Sequence, residues 1–251
     1  MLQPLQTRLG SLDCYVVDPD PNRVPDYLVV LCHGYGAPGS DLLGVVGEWI
    51  YVLAEAAPNF RFICPIAPHS LAELGMPGGR AWWPLNMARM MEAIQAQQFD
   101  ELHHHQPPGI DEARESLTEL IRLAQLRLLE QQKGSPESVP TAIGGFSQGA
   151  MLSMDTALRS SLDPPSLLIQ FSGTVICESQ WTSAMARLRA TRVYQSHGTM
   201  DPILPFTSAE RLRELLTESG VEIQFHSFPG PHTIDGESIA TTAMALQQLT
   251  D

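Results

Sequence analysis

The chain has 251 residues, 43% of them hydrophobic, and 15 Lys and Arg against 28 Asp and Glu give a formal net charge of −13. A surface of that sign repels phosphate backbones and anionic headgroups, so neither nucleic acid nor a membrane surface is expected as a partner. No apolar run approaches the roughly 20 residues that span a bilayer, and Met1–Arg8 lacks a basic segment followed by an apolar one. The expectation is a cytoplasmic protein with no stable membrane insertion. No linker, repeat or low-complexity tract divides the sequence, so residues 1–251 are expected to form one domain. Cys14, Cys32, Cys64 and Cys177 are scattered, with no C-x-x-C spacing, and read as buried small hydrophobes.

Short β-rich runs alternate with longer helical stretches. Leu12–Val17 is the first strand candidate, and Leu28–Cys32 the second. The second runs into His33-Gly34-Tyr35-Gly36, a turn able to aim a backbone N–H outward. A helix is expected over Asp41–Ala57, bounded by Pro58, followed by a strand over Phe60–Cys64. From Pro65 to Gly109 there is no strand signal. That stretch contains Gly75-Met76-Pro77-Gly78-Gly79, then Ala81-Trp82-Trp83-Pro84, then a Met-rich run with Met87, Met90 and Met91. An excursion of this length is either a pocket wall or lid, or a packed surface insertion. It also holds His103-His104-His105. Three consecutive side chains do not converge easily on one ion, so these are read as a solvated loop and no metal site is expected.

Ile110–Gln132 carries Leu117, Leu120, Ile121, Ala124 and Leu128 at helical spacing. Thr141–Gly145 reads as a strand, and Gly145-Phe146-Ser147-Gln148-Gly149 fits G-x-S-x-G at its end, with a helix over Gln148–Leu158 after it. This strand–turn–helix setting projects a serine hydroxyl from a strained turn, with the helix N-terminus nearby. Further strands are expected at Leu167–Phe171, Arg192–His197 and Glu222–Phe228, with helices at Ser179–Ala190, Phe206–Ser219 and Gly236–Leu249. The alternation specifies an α/β fold with a mainly parallel sheet covered on both faces.

A serine hydroxyl needs a base to take its proton, and the base needs an orienting acid. In strand–turn–helix hydrolases the acid and the histidine follow the serine in that order. Asp201 lies in a loop directly after the strand candidate Arg192–His197. Asp155 falls in the helix after Ser147 and Asp163 in a proline-rich connection, and both read as solvent-facing or capping groups. Only His226 and His232 follow Asp201. His226 sits within a strand candidate, whereas His232 hangs in the loop Pro229–Thr233. The sequence therefore nominates Ser147, Asp201 and His232 as the catalytic groups. Tyr35 N–H and Gln148 N–H are the expected oxyanion donors, with the side-chain identities of those two residues secondary. His33 and His197 read as hydrogen-bonded structural histidines.

The ordered motifs Cys32–Gly36, Arg80–Trp83, Gly109–Ala113, Gly144–Ala150, Phe171–Gly173, His197–Pro205 and Gly230–Ile234 give the chain a resemblance over roughly Tyr27–Ala245. It resembles the phospholipase/carboxylesterase family of α/β-hydrolases, which includes acyl-protein thioesterases and small bacterial carboxylesterases. The resemblance implies the same triad and donors, no cofactor, and an apolar acyl groove with Trp82 and Trp83 on one wall. It implies hydrolysis of a small-molecule or lipid-like acyl ester through an acyl-enzyme. Departures bear on the substrate: Ala37-Pro38-Gly39 stands where Asp-Thr-Gly is often found, Ala150 replaces a frequent glycine, and the segment from Asn86 to His105 is longer than in the thioesterases. These favour a general carboxylesterase, with acyl-protein thioesterase and lysophospholipase as alternatives. A non-catalytic binding module built on the same fold is disfavoured, because all three triad residues are present.

Overall fold

A computed structural model describes residues 4–96, 99–133 and 137–250. Ten strands and eight α-helices occur among these residues. In chain order the first half holds β1 (Leu5–Leu9), β2 (Leu12–Val17), β3 (Tyr27–Cys32), α1 (Leu43–Leu53), β4 (Phe60–Pro65), β5 (His69–Ser70), β6 (Arg80–Ala81), α2 (Met87–Gln95), α3 (Asp100–His103) and α4 (Ile110–Gln131). The second half holds β7 (Thr141–Phe146), α5 (Gln148–Arg159), β8 (Leu167–Phe171), α6 (Glu178–Ala184), β9 (Arg192–Gly198), α7 (Phe206–Glu218), β10 (Ile223–Phe228) and α8 (Gly236–Gln247).

Eight strands form one sheet in the order β1-β2-β4-β3-β7-β8-β9-β10. The β1–β2 and β2–β4 pairs are antiparallel, and every pair from β4 to β10 is parallel. The central strands are apolar on both faces for a physical reason. In β3, Leu28, Val30 and Cys32 enter one core cluster and Val29 and Leu31 the other. Successive side chains of a strand point to opposite faces, so a strand covered on both sides reads as a continuous hydrophobic run. Helices α1 and α8 cover one face, where Trp49 donates its indole N–H to Thr242 Oγ1 at 2.9 Å. Helices α4, α5, α6 and α7 cover the other.

Most expected elements are present, with shifted ends. The first helix stops at Leu53, because Ala54 takes a positive φ of 47° and a 3-10 turn, Ala54–Asn59, carries the chain through Pro58. The helix expected at Ser179–Ala190 is split, α6 giving way to a 3-10 turn at Met185–Leu188. Strand β1 was not legible in sequence. It forms a hairpin with β2 across Gly10, at φ 61°, and only Leu9 of its five residues is buried. An edge strand with one buried side chain carries almost no periodic signal.

The excursion after β4 is also more ordered than its composition suggests. It contains the two-residue ribbon β5–β6, a 3-10 turn at Ala72–Leu74, and helices α2 and α3. The side chains of Met87, Met90 and Met91 lie outside the described residues. The histidine run does not behave as one loop. His103 is buried at the end of α3, with Nε2 2.9 Å from Ser208 Oγ, while His104 and His105 are exposed.

Asp155 corrects a second expectation. It is not solvent-facing: its side chain is fully buried between α4, α5 and α6. Its oxygens accept from Arg114 at 2.9 Å, from Arg159 at 3.0 Å and from the Trp181 indole at 2.8 Å. Asp111 pairs with the same two arginines. A buried carboxylate persists only where several donors replace its water. The sequence shows an aspartate on a helix but not the arginine that reaches it from 41 residues away. Removing one partner of such a network strands the other charges. Asp155→Ala is therefore expected to lower stability by about 3–5 kcal/mol, read as a reduced urea midpoint. A midpoint unchanged within error would show that the arginines find water instead.

Candidate active site

Ser147 stands between the last residue of β7 and the first of α5, at φ 55° and ψ −119°. A non-glycine residue holds such a conformation only where its surroundings enforce it. The enforcement comes from the flanking glycines. A Cβ on Gly149 would lie 2.1 Å from the Cys32 carbonyl oxygen, and one on Gly145 would lie 2.5 Å from the same oxygen and 2.4 Å from the Gly149 carbonyl carbon. The turn can thus press against the end of β3 only because both positions lack a side chain. Ser147 N–H donates to Phe171 O of β8 at 2.9 Å, which ties the turn to the next strand.

Asp201 and His232 arrive on two loops beyond β9 and β10. The loops are joined by backbone bonds, from Thr199 N–H to Phe228 O at 2.8 Å and from Met200 N–H to Gly230 O at 3.0 Å. Gly198 allows the approach, since a Cβ there would lie 2.3 Å from both the Gly230 and Pro231 oxygens. Ser172 donates its hydroxyl to Thr233 O at 2.9 Å and holds the far side of the His232 loop. His232 Nδ1 lies 2.6 Å from Asp201 Oδ2. An ionised carboxylate only accepts, so Nδ1 carries a proton. The Phe146 ring, next to Ser147 in the chain, packs on His232 with centroids 4.7 Å apart. Among the described residues the Ser147 hydroxyl makes no hydrogen bond to this ring. Such contacts are often loose before substrate binds.

The Asp201 side chain is fully buried. Its Oδ1 accepts from Ile203 N–H at 2.8 Å and Leu204 N–H at 2.9 Å. Its Oδ2 also lies 3.2 Å from His197 Nε2. That nitrogen is 2.8 Å from Leu204 O, a group that can only accept, so it carries the proton and its donation is shared. Burial would raise the Asp201 carboxyl. The hydrogen bonds from His197 and His232, the His232 charge and the Leu204 N–H together outweigh it and hold the group well below the usual carboxylate range. His197, expected to be merely structural, thus touches the acid directly. Its motif position was visible; the contact depends on how β9 turns into the loop.

The turn after β3 meets the same centre. A Cβ on Gly34 would lie 3.4 Å from Ser147 Cβ and 3.0 Å from the Phe146 ring. His33 Nε2 accepts from Ala67 N–H at 3.0 Å, so its Nδ1 carries the proton and donates to Gly34 O at 2.8 Å. Burial lowers the His33 pKa against the opposing effect of that bond, which keeps the ring in the neutral form both contacts require. In a planar trans peptide the N–H points away from the C=O. Fixing Gly34 O therefore fixes the direction of Tyr35 N–H. Gly36 N–H is taken by Arg80 O at 2.9 Å and Ala37 N–H by Gly34 O at 3.3 Å, whereas Tyr35 N–H has no acceptor among the described residues. Gln148 N–H, at the first position of α5, is one of the N–H groups a helix start leaves without an internal partner.

Trp82 and Trp83 are placed differently from the expected groove wall. Their rings are 1% and 0% exposed and belong to the apolar core. The Gln148 side chain is also buried and not secondary. It accepts from Trp82 N–H at 2.9 Å and donates to Trp83 O at 2.9 Å. His226, the base candidate set aside in sequence, lies in β10 with Nε2 3.0 Å from Asp235 Oδ2.

The chain is similar to known proteins over most of its length. The family described as Phospholipase/Carboxylesterase matches residues 14–250. The chain belongs to that family. It is an α/β-hydrolase-like protein and a hydrolase of ester bonds. Esterase YpfH of Escherichia coli (strain K12) is 24% identical over 228 residues, covering 90% of this chain and 84% of that protein. Acyl-protein thioesterase 1 of Mycosarcoma maydis is 23% identical, covering 96% of this chain and 98% of the other. The match to acyl-protein thioesterase 1 of Debaryomyces hansenii is 32% identical but spans only 43% of that protein. Among solved structures, esterase PE8 superposes with a TM-score of 0.68 at 26% identity, over 98% of both chains. No helix among the described residues is long and apolar enough to cross a membrane.

The depressed Asp201 ionisation has a measurable sign. The folded carboxyl sits below its unfolded value of about 3.9. Its contribution to stability is therefore complete above that value and lost as pH falls further, where the unfolded chain binds a proton that the folded chain does not. As pH falls from about 5 toward 3, the stability difference between wild type and Asp201→Asn should shrink. Paired urea melts over this range check it, and a difference that grows on acidification contradicts the assignment.

Proposed function

We propose that this family member, folded as one domain over residues 1–251, cleaves acyl esters by a Ser147–His232–Asp201 triad through an acyl-enzyme. The observation that carries the reading is the 2.6 Å bond from His232 Nδ1 to Asp201 Oδ2, with the His232 ring packed on Phe146 beside the strained Ser147. Asp201 holds the imidazole in the tautomer whose Nε2 faces outward and stabilises the imidazolium as it forms. His232 takes the Ser147 proton as Oγ attacks the acyl carbon, and returns it to the departing alkoxide. A water activated by the same nitrogen then releases the acid. Tyr35 N–H and Gln148 N–H receive the charge that develops on the carbonyl oxygen. No metal or organic cofactor has a step in this sequence.

Two features support a small-molecule or lipid-like acyl ester as substrate: the family and the strongly acidic chain, which gives no affinity for polyanions. A carboxylesterase role is preferred to protein deacylation because the turn after Tyr35 departs from the thioesterase pattern at Ala37-Pro38-Gly39. Thioester and lysophospholipid cleavage use the same chemistry and are the alternatives. A cytoplasmic setting is part of the proposal, in keeping with the acidic charge.

Ser147→Ala and His232→Ala should each lower kcat on p-nitrophenyl esters by up to about 10⁶-fold, and Asp201→Asn by about 10⁴-fold, with the fold retained. A fluorophosphonate should label wild type and not Ser147→Ala. Near-normal turnover in Ser147→Ala would remove the nucleophile from the proposal. Loss in His226→Ala with activity kept in His232→Ala would move the base. A panel of ester, thioester and lysophospholipid substrates then ranks the three substrate readings by kcat/KM.

A further inference from the structure

The two proposed oxyanion donors sit on segments that the sheet does not hold together. Pairing between β3 and β7 ends at Cys32 and Gly145. Tyr35 lies three residues beyond the first and Gln148 three residues beyond the second. Past that point the elbow and the turn are free of each other's strand register. Their spacing still matters, because a displacement of about 1 Å in a catalytic group costs on the order of 10²-fold in rate.

Beyond the packing of Gly145 and Gly149 on the end of β3, a hydrogen-bonded connection runs through the excursion after β4. Gln148 uses both ends of its side-chain amide on the backbone of one dipeptide, accepting from Trp82 N–H and donating to Trp83 O. Trp82 in turn donates its indole N–H to His33 O at 2.8 Å. The Trp82 and His33 rings lie 5.3 Å apart. Gln148, Trp82 and His33 are each 1% exposed, so no water competes for these bonds. The same strand segment also pairs with the turn directly, through Gly36 N–H to Arg80 O and Arg80 N–H to Ala37 O at 3.0 Å.

We propose that Trp82 and the Gln148 side chain form a strut that sets the distance and angle between the Tyr35 and Gln148 N–H groups. Both are positioning residues. The inference rests on the triad reading above and deepens it: Gln148 supplies a donor from its backbone and locates the opposite donor with its side chain. The strut acts on the anionic state more than on the bound ester, since the two N–H groups must converge only on the developing oxyanion. It also accounts for one of the two buried indoles, since Trp82 carries a hydrogen bond that phenylalanine cannot make.

Two substitutions test it. Trp82→Phe keeps an aromatic ring and deletes the N–H. Gln148→Met keeps the length of the side chain and deletes both amide bonds, leaving the backbone donor in place. In each folded variant kcat should fall about 10- to 100-fold, less than loss of a donor outright, while KM stays within about threefold. Affinity for an alkylboronic acid, which forms a tetrahedral adduct, should fall by the same factor as kcat/KM. The double variant should lose little more than the worse single one, because both cut one connection. A kcat within twofold of wild type in either folded variant overturns the proposal. So does a raised KM with kcat kept, or a double variant whose loss is the product of the two singles. Should Trp82→Phe fail to fold, Gln148→Met decides by kcat, KM and boronate affinity alone. Ser147→Ala, assayed alongside, separates the two readings. Hydrolysis retained there defeats the triad, whereas loss there with wild-type behaviour in Trp82→Phe defeats only the strut.

Discussion

Gly149 and Gly145 meet the Cys32 carbonyl at distances that no Cβ could occupy, and the rest of the site follows from that contact. It brings the end of β7 and the start of α5 against the end of β3. The close approach forces Ser147 into its positive φ and turns its side chain away from the crowded backbone. It also brings the His33–Gly36 turn beside the serine, where a Cβ on Gly34 would crowd the Phe146 ring at 3.0 Å. A core packed on both faces of the sheet supplies the rigidity that makes this strain persist.

Around that contact, the polar groups are placed by neighbours with no part in the proposed chemistry. His33 turns the Gly34 carbonyl inward and so turns Tyr35 N–H outward. His197, Ile203 and Leu204 surround Asp201 with donors and keep it ionised in a buried position. Ser172 holds the loop of His232. Each interaction is modest in isolation, but a buried donor or acceptor left unmade is expensive, and this makes the arrangement specific. A histidine that loses its acceptor or a carboxylate that loses its donors does not relax into water here.

Among the described residues, the excursion between β4 and α4 bonds to the backbone of the turns around Ser147. In composition it resembles a lid: glycines, prolines, two tryptophans and several methionines. Its ribbon and its indoles instead pack inward, pair with the turn after β3 and grip the first residue of α5. Long segments without regular structure are stable only when their backbone groups find partners, and here the partners belong to the functional turns.

The sequence by itself determined the alternation of strands and helices, the covered central strands, and the placement of Ser147 on a strand–helix turn and of Asp201 and His232 in loops after strands. These are local properties: a buried parallel strand must be apolar throughout, a strained elbow must be flanked by small residues, and loop histidines stand out from strand histidines. What only the tertiary structure decided involves partners distant in the chain. Asp155 looks like a surface helix residue until Arg114, Arg159 and Trp181 converge on it. Trp82 looks like a pocket ring until its N–H is found on His33, 49 residues earlier. Gln148 looks like a backbone donor with an incidental side chain until that side chain is found on Trp82 and Trp83. Periodicity records which face of an element is buried. It carries no information about which polar group on another element will meet a buried donor, because that choice is made by the packing of the whole sheet and its insertion.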